Sequence, residues 1–120
     1  MQGQMFDNCR VRRSMWDGAF GLSYSLTNTA TAFTVGANPP YAIAINPGST
    51  AINVTMYTPS PSPNPIMWCH EVINLGNTTG VITLKGTQGT TIGTVPVGKR
   101  AEVVFAPMLS PQDWVVFPSA

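Results

Sequence analysis

The chain has 120 residues, 43% of them hydrophobic, with six Lys or Arg against five Asp or Glu and a formal net charge of +1. That length is one domain, able to bury roughly two thirds of its unfolded surface and so to fold without staples. A balanced charge gives no reason to expect nucleic acid as a partner, and Asn, Pro and Thr break the uncharged middle too often for it to span a membrane.

Charged residues make up only 9% of the chain, against about 25% in an ordinary domain, and none lies between Gly18 and His70. A small monomer keeps a charged surface for solubility, so two explanations compete. Either Thr, Ser and Asn coat a solitary β domain, or partners cover much of the surface; the composition favours the second.

Residues 1–19 form an N-terminal arm that differs from the rest, residues 20–120, which form the β domain. The arm holds three of the six basic residues, three of the six methionines and five of the eleven charges. It has no apolar core of signal-peptide length, which predicts synthesis in a cytoplasm. Met5, Phe6, Arg10, Arg12, Arg13 and Trp16 are side chains of the kind that anchor interfaces. The arm either grips a partner through them or packs across its own domain as a first strand. Cys9 and Cys69 are sixty residues apart and form no motif; the sequence favours two reduced, partly buried thiols.

Beyond the arm, Phe20, Leu22, Tyr24 and Leu26 alternate as on one face of a half-buried strand. A further strand is read over Thr31–Val35. Tyr41, Ile43 and Ile45, then Ile52, Val54 and Met56, alternate on either side of Asn46-Pro47-Gly48-Ser49, and this pattern predicts a hairpin. Residues 58–65, with proline at every second position, predict a stiff extended loop that cannot enter a ladder. Residues 66–75 are apolar on both faces, with Trp68, His70 and Val72 on one and Met67, Cys69, Glu71 and Ile73 on the other, as in a central strand. The last 45 residues or so carry β-branched and aromatic runs cut by turn formers at close spacing. No window makes a convincing helix. The fold expected is all-β, an antiparallel β-sandwich of jelly-roll or Greek-key type carrying an N-terminal arm.

Candidates for chemistry are weak. Cys69, His70 and Glu71 are ligand-type residues in a row, but strand neighbours point to opposite faces and cannot hold one ion. Gly93-Thr94-Val95-Pro96-Val97-Gly98-Lys99 has the spacing of a phosphate-binding loop. Pro96 removes an amide, Arg100 replaces the magnesium-binding hydroxyl, and a strand follows where a helix is needed; the segment reads as a hairpin turn. His70 has no identifiable acid to orient it, and five scattered acids give no obvious pair. The sequence predicts no enzyme, no metal and no cofactor.

Ile73-Asn74, Gly80 to Leu84, Gly89 to Ile92, Val97 to Val103 and Asp113 to Val116 together give a strand ending in Asn, a Gly-rich turn, a Thr-Ile strand, a Pro-x-Gly turn and a closing Asp-Trp strand. This pattern resembles small bacteriophage virion proteins, namely head decoration proteins, head fibres and tail tips. The resemblance implies a non-enzymatic structural subunit of a virion, a capsid decoration (cement) protein or head-fibre subunit. It implies a homo-oligomer, a trimer favoured, docked on the major capsid protein or another virion component. The arm would supply the docking contacts. The alternatives are a receptor- or carbohydrate-binding module that stacks sugars on Trp68, Trp114 or Tyr57, and a coat or tail-tube subunit.

Overall fold

The computed structural model describes residues 24–36, 39–59, 69–106 and 111–118. Among them are nine strands and no helix: β1 (Tyr24–Asn28), β2 (Phe33–Thr34), β3 (Ala42–Asn46), β4 (Ile52–Thr55), β5 (Cys69–Asn74), β6 (Ile82–Lys85), β7 (Thr91–Val95), β8 (Arg100–Ala106) and β9 (Asp113–Pro118). They form a five-stranded sheet, β1-β3-β5-β8-β9, and a four-stranded sheet, β2-β4-β6-β7. The all-β expectation holds, and the two sheets share one core in a sandwich-like arrangement.

The sheets are mixed, which corrects the antiparallel expectation. β1, β3 and β5 pair in parallel in one sheet, and β2, β4 and β6 pair in parallel in the other. The chain thus alternates between sheets for six strands, making three stacked coils. The closing strands are antiparallel: β7 returns along β6, and β8 and β9 extend the five-stranded sheet from β5. This strand order does not establish a jelly-roll or Greek-key arrangement.

Two expected hairpins are therefore passages between sheets. Asn46-Pro47-Gly48-Ser49 is a turn, with Gly48 at φ 66° and its amide donating to Asn46 Oδ1 at 3.0 Å. It carries the chain from β3 in one sheet to β4 in the other. The segment from Pro96 to Lys99 does the same between β7 and β8, with Gly98 at φ 73° and Lys99 N–H donating to Pro96 O at 3.0 Å. Turn chemistry fixes a change of direction, whereas pairing is decided by which strand stacks alongside. Gly86 to Gly89 does close a hairpin, between β6 and β7.

Successive turns also bond to one another. Thr29 N–H donates to Asn46 O at 3.1 Å, Asn77 N–H to Gly48 O at 2.9 Å, and Thr79 Oγ1 to Ser49 O at 2.6 Å. The coils thereby satisfy at their ends the polar backbone that a ladder satisfies along the strands.

The core lies between the sheets. Ile43, Ile45, Val72, Val103, Phe105 and Trp114 of the larger sheet meet Ile52, Val54, Ile82, Leu84 and Val95 of the smaller. Full burial of each large aliphatic side chain contributes about 1.5–3 kcal/mol. Asn74 bridges the layers: its Nδ2 donates to Gly80 O at 2.8 Å and Val95 O at 2.9 Å, and its Oδ1 accepts from Gly76 N–H at 2.8 Å. One lateral edge is closed where Gly93 of β7 leaves room for Val116 of β9. Asp113 Oδ1, accepting from the amides of Thr87 and Trp114 at 2.8 Å each, secures the same edge.

Candidate interaction surfaces

His70 is fully buried on the inner face of β5. Its Nδ1 lies 2.9 Å from Pro40 O, an atom that only accepts, so Nδ1 carries the hydrogen; Nε2 lies 2.7 Å from the Tyr57 hydroxyl, within hydrogen-bond distance. Trp114 Nε1–H donates to Tyr57 O at 2.8 Å, and the His70 and Tyr57 rings sit 5.7 and 5.2 Å from the Trp114 ring. A histidine held this way locks three aromatic groups into a core. Tyr57 and Trp114 are buried, which corrects their reading as a stacking platform for sugars. Trp68 lies outside the described residues.

The face assignment of β5 is as the alternation predicts, with His70 and Val72 in the core and Cys69, Glu71 and Ile73 on the outer face. Cys69 is disulfide-bonded, which overturns the reading of a reduced thiol there. The arm residues Met5, Phe6, Arg10, Arg12, Arg13 and Trp16, and Cys9, lie outside the described residues.

Three surfaces are left, and composition alone distinguished none of them. The outer face of the four-stranded sheet carries Thr34, Asn53, Thr55, Thr83 and Lys85, a coat of hydroxyls and amides with one cation. The outer face of the five-stranded sheet is different: Ala42, Ala44, Cys69 and Val104 are buried there beside Glu71. Arg100 Nη1 approaches Glu71 Oε1 at 3.7 Å from a largely exposed side chain.

The third surface is the edge formed by β1 and β2, the terminal strands of the two sheets among the described residues. Tyr24 and Leu26, in register with Ala42 and Ala44, stand on the outer face of the five-stranded sheet at its β1 margin, 60% and 48% exposed, while Ser25 and Thr27 point toward the core side. The alternation was visible in the sequence, but its apolar side faces away from the core. Between the edge strands opens a groove of about 320 Å³, lined by Ser25, Thr27, Phe33, Val35, Pro39 and Ile43 among others. Among the described residues, the sandwich is closed at β7/β9 and open at β1/β2.

No protein-family model, curated protein or solved structure matches the chain.

Proposed function

We propose that this chain is a non-enzymatic structural subunit of a bacteriophage particle, a capsid decoration or head-fibre protein that associates with copies of itself and sits on a larger shell. The observation that carries the reading is the open edge. Tyr24 and Leu26 stand exposed side by side on a terminal strand in a region without a single charge. Natural proteins guard such edges with charge, proline or a covering segment, because an uncovered strand recruits another chain. Here the edge is a docking surface for a second copy, and closed symmetry, with a trimer favoured, then limits growth.

The other features fit this use. The hydroxyl- and amide-coated sheet keeps the assembled face soluble with little charge. A disulfide at Cys69 suits a particle that leaves a reducing cytoplasm for the outside. A subunit that binds only the assembled shell stabilises it by mass action at every occupied site. Mass spectrometry of density-purified particles from the source culture tests the assignment. The expected result is the chain at a fixed ratio to the major capsid protein; particles that lack it would overturn the reading.

A further inference from the structure

We infer that two copies of the chain join edge to edge about a two-fold axis, β1 antiparallel to the partner's β1, with Leu26 opposite the partner's Leu26. The inference rests on the self-association proposed above and specifies how the edge is used.

The backbone of β1 is arranged for this. Thr29 N–H donates to Asn46 O of β3, and successive residues of a strand present their N–H and C=O to opposite sides. Ser25 and Thr27 therefore bond toward β3. The N–H and C=O groups of Tyr24, Leu26 and Asn28 point to the other side, where β1 has no neighbour among the described strands. On β2, Val35 N–H donates to Thr55 O, which leaves Thr34 as the outward residue. In an antiparallel pair centred on Leu26, Tyr24 of each copy faces Asn28 of the other, and every outward group of β1 finds its complement. The side chains agree with this register. Tyr24 and Leu26 are 60% and 48% exposed on the outer face beside Ala42 and Ala44. Pairing sets Leu26 directly against the partner's Leu26 and diagonal to the partner's Tyr24, within reach of a cross-strand contact.

Charge and topology choose the occupant. No charged residue lies between Gly18 and His70, so an identical edge meets no like charge. At the opposite end β7 packs on β9, where Gly93 admits Val116, and among the described strands this end offers no open edge for a head-to-tail stack. The β1 edge then meets its own copy, and such an isologous contact is two-fold. A dimer is the unit this edge builds; a trimer would need a different contact.

The test is amide hydrogen exchange followed by NMR on the full-length protein, wild type against Tyr24→Lys, Leu26→Lys. In wild type the amides at positions 24, 26 and 28 should exchange at least about tenfold more slowly than in the variant. Those of Ser25 and Thr27, held by β3, should be protected in both. Should the variant not fold, diluting wild type through its dissociation gives the same comparison. Light scattering on these samples should give a dimer or an even multiple of it. A trimer, or an oligomer whose outward amides stay unprotected, would overturn the edge pairing and leave self-association standing. A wild-type monomer at every concentration would overturn both.

Discussion

The hydroxyl of Tyr57 lies 2.7 Å from Nε2 of His70, in a core where both residues also pack on Trp114. Tyr57→Phe removes that hydrogen bond from a fully buried ring and leaves the packing in place. The variant should lose about 1–3 kcal/mol. Urea unfolding followed by circular dichroism measures this directly, and Trp114→Ala should cost more, about 3–5 kcal/mol.

Asn74 ties the two sheets through a single side chain. Asn74→Leu leaves Gly80 O, Val95 O and Gly76 N–H without it. With about 1 kcal/mol for each lost partner, the cost is about 3 kcal/mol or more. A variant as stable as wild type in the same urea titration would show that the bridge carries no net stability.

The coil turns pack backbone against backbone. A Cβ on Gly80 would run into the carbonyl oxygen of Gly48, whereas one on Gly36 meets nothing within 4 Å. Gly80→Ala should therefore destabilise by about 1–3 kcal/mol, and Gly36→Ala should stay within about 0.5 kcal/mol of wild type. Thermal unfolding of the two variants side by side gives the comparison.

Asp113 acts as an acceptor at the closed edge, holding the amides of Thr87 and Trp114. Asp113→Ala should cost about 1–2 kcal/mol, as loss of a capping acceptor does. Asp113→Asn, which keeps an oxygen in place, should recover most of it. Equal losses in both would assign the effect to charge instead.

These residues also mark where the sequence was readable. The two faces of β5 were legible because alternation around His70 is a local signal. The partner of each strand was not. Asn46-Pro47-Gly48-Ser49 has the composition of a hairpin turn, yet β3 pairs with β1 and β5 across intervening strands of the other sheet. Parallel pairing of that kind leaves no mark in the turn, because the connection runs through a whole coil. Tyr24 and Leu26 misled in another way. Alternation shows that a strand has two unlike faces without saying which one meets the core. Burial of Trp114 was equally hidden, since aromatic residues in a closing strand serve cores and binding platforms alike.

The open β1/β2 edge as a self-association surface is tested most directly by the molar mass of the full-length protein. Light scattering on a sizing column would compare wild type with a Tyr24→Lys, Leu26→Lys variant. The account expects a closed oligomer of fixed size for wild type and a folded monomer for the variant, because lysines on an edge strand block pairing with another chain. A wild-type monomer at every concentration, or an oligomer that the lysines leave intact, would contradict it.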